Sequence, residues 1–176
     1  MYSLEPIQYD KADSNVKEIF DQFKKKMGRV PNIYAVMAHS LASLKGLLSL
    51  KGALDSGKLS KKEAEAISLV VGEVNQCEYC LAAHTAIAKM VGIPAPEALL
   101  LRQAQSNDPK LQALVGLAKE IVSTQGRPDP AVVEAFFSAG YDQEALVEVI
   151  ANVALNIFTN YFNHIAEPKV DFPKPE

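Results

Sequence analysis

Residues 60–92 read SKKEAEAISLVVGEVNQCEYCLAAHTAIAKMVG. Ser60 followed by Glu63 is a capping box, in which each side chain satisfies the other residue's backbone N–H at the first turn of a helix. From there Ile67, Val70, Val71 and Val74 recur at three- and four-residue spacing, the stripe that a helix buries. The stripe runs out near Asn75, and a second helix opens with the cysteines and stops at Gly92, ahead of Pro94. Two helices meeting at a C-x-x-C make the expected fold class all-α.

The same punctuation continues outward, with Gly and Pro between helical segments and almost no period-two alternation. A helix from about Asp13 to Lys26 carries Val16, Ile19, Phe20 and Phe23 on one face and closes at Gly28. After Pro31 one longer helix is expected to run to about Asp55, with Gly57 as its stop. Downstream, PEALLLRQA, DPKLQALVGLAKEIVSTQG and DPAVVEAFFSAG each read as a helix, and a last long one spans about Asp142 to Ala166. The first dozen residues form an arm. The tail EPKVDFPKPE, with three prolines in ten residues, is expected to be extended, packing on a neighbour or left loose.

At 176 residues and 48% hydrophobic side chains the chain reads as a single domain over 1–176, with 1–12 as the arm and 167–176 as the tail. A net charge of −3 offers no basic field for phosphates, so nucleic acid is not an expected partner. The lysines of KLSKK and FKKKM read as solvated helix faces. The N-terminal stretch has neither a basic segment nor an apolar one of signal-peptide type, and no run long enough to cross a bilayer is free of polar residues. A cytoplasmic protein without a membrane partner is the expectation.

The chain's two cysteines, Cys77 and Cys80, lie three positions apart and cannot staple distant segments. Near the N-cap and N3 of their helix they meet unpaired N–H groups and the positive dipole end, which favour a thiolate. His84 follows Cys80 by one turn on the same face and is positioned to relay a proton. Cys77, Cys80, His84, Ile87 and Val91 form one seam expected to face inward, with Cys77 at the helix tip the more accessible thiol. Redox chemistry competes with two other readings, a metal site using Cys77, Cys80 and His84, and inert packing. No second C-x-x-C or H-x-x-x-H accompanies the pair, which argues against a structural zinc site. Glu73, a turn before Cys77, is a carboxylate whose charge would oppose thiolate formation. His39 and His164 sit among apolar residues and read as structural, while Phe158, Tyr161 and Phe162 read as core or subunit interface.

With Glu65 twelve residues before Cys77 and the run C-x-Y-C-x-x-x-H after it, the segment resembles the carboxymuconolactone decarboxylase and alkyl hydroperoxidase D superfamily, in particular its peroxidase-related branch. The resemblance implies a helical fold, trimers or hexamers, and thiol-dependent peroxide reduction. It further implies that Cys80 attacks the peroxide, that Cys77 resolves the sulfenic acid as a disulfide, and that Glu65 and His84 relay protons. No bound cofactor or metal is required. The electron donor would be a lipoyl protein, a thioredoxin-like protein or a small thiol. Tyr79 stands where the best-studied alkyl hydroperoxidases carry His; Tyr is common among the peroxidase-related relatives, and here it would line the site or donate its hydroxyl to sulfur or substrate. Decarboxylation of a muconolactone-type acid is the rival enzyme reading, but that branch does not depend on a C-x-x-C. A non-catalytic redox sensor is the third. The last helix, ALVEVIANVALNIFTNYFNHIA, is apolar around much of its circumference and needs cover on more than one side, so a homo-oligomer is expected.

Overall fold

The computed structural model describes residues 4–174, and within them the chain forms nine α-helices and no strand. Their order is α1 (Ser14–Met27), α2 (Asn32–Met37), α3 (Leu41–Leu54), α4 (Lys61–Val74), α5 (Glu78–Met90), α6 (Ala95–Arg102), α7 (Pro109–Ser123), α8 (Pro130–Ser138) and α9 (Gln143–Ala166). Local chemistry sets most of these boundaries. Asp13, Ser60, Asp108, Asp129 and Asp142 each cap the helix that follows with a side-chain oxygen, and both halves of the Ser60–Glu63 box are made. Gly28 ends α1 in the left-handed conformation at φ 74°.

One expected boundary fails. The single helix anticipated after Pro31 is two, because the chain breaks over Ala38–Ser40 and Ser40 caps α3 through a bond from Ser43 N–H. The break lets the His39 ring reach the Glu5 carbonyl at 2.9 Å, tying the N-terminal arm down.

α4 is the central helix and packs against α5, α6, α7 and α9. Around it lies a wholly apolar core in which Ile67, Leu69, Val70, Leu101, Leu114, Leu117, Phe136 and Val149 are buried. Burying each of these side chains contributes on the order of 1.5–3 kcal/mol. A second cluster joins α1, α2 and α3 to the first turn of α5, bringing Val16, Phe20, Ile33, Met37, Leu44 and Leu47 together with Cys77, Tyr79 and Cys80. α9 serves both cores: Val149 and Val153 enter the first, while Leu155 and Phe162 pack on the second. By length and composition α9 would suffice to cross a membrane, yet its four asparagines point into the protein. That arrangement corrects the reading of α9 as a helix without a polar face. The polar face exists, and it is the buried one.

Candidate functional site

The site begins where α4 stops. After the C-cap Asn75 the chain passes through Gln76 in the left-handed region, φ 54°, and reverses into α5 with Cys77 at the N-cap. Cys77 Sγ accepts the backbone N–H of Cys80 at 3.3 Å, so this sulfur takes the place of the usual serine or aspartate cap. Cys80 sits at N3, and the two residues are joined as a disulfide across a Cα separation of 5.3 Å. The redox pair is thus present in its oxidised form.

Both sulfurs lie inside. Cys77 is 1% and Cys80 3% exposed, which corrects the expectation that Cys77 at the helix tip would be open to partners. The tip is covered because α5 begins against the second core rather than at the surface.

One turn along α5, His84 Nδ1 hydrogen-bonds Glu65 Oε1 at 2.5 Å. The carboxylate comes from α4 and is buried, and the pair has the form in which an acid orients an imidazole. With Nδ1 engaged, Nε2 is the ring nitrogen left to exchange a proton. The His84 side chain is 23% exposed against 11% for Glu65, so the pair connects the interior with solvent. Nearby Tyr34 has its hydroxyl pushed up to about 12, first by burial and then by the negative charges of Asp55 and Glu65. Glu73, the carboxylate a turn before Cys77, is engaged by Arg102 Nε at 2.6 Å.

Tyr79 is buried, but its hydroxyl serves neither sulfur. It donates to Asp171 Oδ1 at 2.6 Å and accepts Ile33 N–H at 3.2 Å. Burial and the Asp171 bond push its ionisation up. Asp171 also accepts from Asn32 N–H at 3.1 Å and pairs with Arg29, while Phe172 lies edge-on to Tyr79 and under the Arg29 guanidinium. Residues 169–172 of the Pro-rich tail are therefore not loose but form a strap across the start of α2 and the first turn of α5, while residues 175–176 lie outside the described residues.

Sequence reasoning missed two residues of the site. Asn160 Nδ2 donates to Cys80 Sγ at 2.9 Å, and Asn163 Nδ2 donates to Cys80 Sγ at 3.2 Å and, more weakly, to Cys77 Sγ at 3.7 Å. The available signal was Asn152, Asn156, Asn160 and Asn163 at helical spacing on one face of an apolar helix. His39 and His164 are exposed, as is Tyr161, whose ring stacks beside that of His164. Phe158 is also exposed, whereas Phe162 packs on the second core. Among the described residues no group of three or more His, Cys, Asp or Glu is arranged to hold a metal ion.

Residues 42–120 match the sequence model of the carboxymuconolactone decarboxylase family. No curated protein matches the chain significantly. Among solved structures, an uncharacterized peroxidase-related protein with an alkylhydroperoxidase AhpD core from Ralstonia eutropha JMP134 shares the fold at TM-score 0.86 and 20% identity, over 97% of this chain and 94% of that one. A peroxidase-related protein from Silicibacter sp. TM1040 follows at 0.83 and 21%, over 97% and 95%. The debrominase Bmp8 bound to 2,3,4-tribromopyrrole does so at 0.83 and 18%, over 97% and 92%. At these identities the likeness establishes a common fold. Glu65, Cys77, Cys80 and His84 all fall within the matched segment; Asn160 and Asn163 lie beyond it.

Proposed function

We propose that this chain, whose residues 42–120 match the carboxymuconolactone decarboxylase family model, is a member of the carboxymuconolactone decarboxylase and alkyl hydroperoxidase D superfamily and acts within it as a thiol-dependent peroxide reductase. The observation that carries the reading is the Cys77–Cys80 disulfide at the N-terminus of α5, with the Glu65–His84 pair one turn along the same helix. Its family and its C-x-x-C support a peroxidase-related or redox role. The finer assignment rests on what each group can do.

In the reduced protein the Cys80 thiol passes its proton to the His84–Glu65 pair, and the thiolate attacks the hydroxyl-bearing oxygen of the peroxide. The S–O bond forms, the O–O bond breaks, and the leaving alkoxide takes the proton back and departs as alcohol. Cys77 then attacks the sulfur of the Cys80 sulfenic acid. The S–S bond forms, and hydroxide leaves with the Cys77 proton as water. One peroxide is reduced to alcohol and water while the dithiol becomes the disulfide seen here. An external dithiol, whether on a lipoyl protein, a thioredoxin-like protein or a small molecule, returns the two electrons by exchange at Cys77.

The two serine variants test the division of labour. Cys80→Ser is expected to abolish the peroxide-consuming step. Cys77→Ser should consume about one equivalent and leave a trappable sulfenic acid on Cys80. Sulfenic acid found on Cys77 of the first variant, and none on Cys80 of the second, overturns the assignment.

A second reading draws on the debrominase among the structural neighbours. There the same dithiol would supply two electrons to replace a carbon–bromine bond by carbon–hydrogen, releasing bromide. Parallel single-turnover assays with an alkyl peroxide and a bromopyrrole separate the two.

The reductase is further read as a homo-oligomer formed through α9. Val147, Ile150, Ala154, Phe158, Tyr161 and Ile165 stand exposed at three- and four-residue spacing, an apolar stripe that matches a second copy of itself. A trimer, or a hexamer built from trimers, is the form the family resemblance implies.

A further inference from the structure

The matched family segment ends before α9, yet the polar groups that touch the sulfurs come from α9. We propose that Asn160 and Asn163 are catalytic residues: their amides hold the negative charge on Cys80 in the reduced protein and make it, rather than Cys77, the more acidic thiol. The inference deepens the peroxide-reductase reading and rests on it only for the purpose the thiolate serves.

Burial alone raises a thiol's pKa, because a charged sulfur in an apolar surrounding loses its hydration. Cys80 is buried in the second core, among Phe20, Met37 and Leu44. A thiolate there needs hydrogen-bond donors that replace water and are already aimed. Two amide N–H groups converge on Cys80 Sγ, at 2.9 and 3.2 Å, whereas Cys77 Sγ receives one backbone N–H at 3.3 Å and a single long contact at 3.7 Å. The donor count favours charge on Cys80.

The amide of Asn160 is held in that sense by its own partner. Asn75 Nδ2 donates to Asn160 Oδ1 at 2.8 Å, so the NH₂ end must face the sulfur. Asn75 is the C-cap of α4, fixed at the turn that leads into Cys77. Asn160 is completely buried, so no water competes for either end of its amide. Asn163 carries the complementary feature. It is also buried, and its Oδ1 has no hydrogen-bond partner among the described residues. A buried acceptor left unpaired destabilises the state that leaves it so, and a state that pairs it is favoured by comparison. The disulfide has no S–H to offer, but the reduced pair has one. Asn163 therefore donates through Nδ2 to the Cys80 thiolate and accepts through Oδ1 from the Cys77 thiol, keeping one sulfur charged and the other protonated until resolution. The same helix supplies an internal contrast, because Asn152 and Asn156 occupy the same face but donate to the α9 carbonyls of Glu148 and Asn152.

The test measures the acidity of Cys80 in the reduced protein by alkylation rate against pH, with mass spectrometry reporting each cysteine separately. Asn160→Leu and Asn163→Leu are each expected to raise the Cys80 pKa by about one unit, the equivalent of about 1.4 kcal/mol and a tenfold loss of thiolate. The Cys77 value should move less. Asn156→Leu, equally buried and on the same face, should leave Cys80 unmoved. Asn75→Ala, which touches no sulfur and only frees the Asn160 amide, should give a smaller rise in the same direction and serves if the leucine variants do not fold. An unmoved Cys80 pKa in folded Asn160 or Asn163 variants overturns the proposal, as does an equal shift in Asn156→Leu. The outcome is separable from the peroxide assignment. A native protein that turns over no peroxide yet shows these shifts rejects the reductase reading alone; one that turns over peroxide while the variants keep a native Cys80 titration rejects only the amide cradle.

Discussion

The two faces of α9 invert the usual rule for a helix in a soluble fold. Its inner face buries Asn152, Asn156, Asn160 and Asn163, while its outer face leaves Val147, Ile150, Phe158, Tyr161 and Ile165 exposed. Apolar side chains turned outward lose the stabilisation that burial gives, and amides turned inward lose hydration. Such a helix is intelligible only if each face answers to something other than the protomer's own core. The inner face answers to the sulfurs through two of its four amides. The outer face, on the reading proposed here, answers to another copy of the chain.

The largest effect is expected on the outer face. Placing charge in the middle and near the end of the stripe, with Ile150→Glu combined with Ile165→Glu, removes two apolar contacts of roughly 1.5–3 kcal/mol each and adds two carboxylates that an interface would have to desolvate. Weakening of association by a hundredfold or more should follow, seen by light scattering as a shift to the protomer mass. Helicity and the Cys80 titration should remain native, because neither residue reaches the inner face. An unchanged assembly would place the interface elsewhere and leave the exposed stripe unexplained.

The strap supplies the next effect, because it packs against the first turn of α5, which carries the cysteines. Asp171 holds Tyr79, Asn32 and Arg29 together, and both sulfurs are almost inaccessible beside it. A reductant can reach Cys77 only when the structure opens locally, and the population of the open form sets the rate. Asp171→Ala removes the anchor of the Tyr79 hydroxyl and is expected to speed reduction of the disulfide by a small thiol about tenfold, corresponding to about 1.4 kcal/mol of lost closure. An unchanged reduction rate, measured by thiol release, would mean that the reductant enters by another route.

What the sequence disclosed follows the range of the interactions involved. The Ser60–Glu63 box, the aspartate caps and the N-cap and N3 positions of Cys77 and Cys80 are local, and the structure contains each of them. Glu65 and His84 come together across nineteen positions, and the spacing carried by the family resemblance was enough to pair them. The Asn160 and Asn163 contacts span eighty or more positions, and the Tyr79–Asp171 bond spans ninety-two. No periodicity within a helix announces a partner at that distance. The buried state of Cys77 was hidden for the same reason: the helix tip is exposed in isolation, and it is closed by α1–α3, α9 and the tail packing against it. The break at Ala38–Ser40 is the one local miss. Ser40 is a good cap, but it sits inside a stretch that is otherwise continuous in apolar residues.

The smallest expected effect sharpens the contrast within the inner face itself. Asn156 is buried, and its amide donates to the Asn152 carbonyl, an acceptor that the helix ladder already uses. The bond satisfies the side chain but adds little, since a second donor to a paired carbonyl returns less than the amide loses on leaving water. Leucine at this position gives up that bond, leaves the carbonyl in its ladder, and gains apolar contact. Asn156→Leu is accordingly expected to stabilise the fold by about 1 kcal/mol, raising Tm by roughly 2–4 °C for a domain of this size. The leucine is larger in shape as well as less polar, so a neutral result could reflect strain; Asn156→Ala, which removes the amide without adding volume, separates the two. A fall of several degrees in both variants would make Asn156 a structural member of the ladder, and the inner face would then owe its amides to packing as much as to the sulfurs. If the rise is observed while Asn160→Leu shifts the Cys80 titration, the two asparagines stand one turn apart with different reasons for being buried.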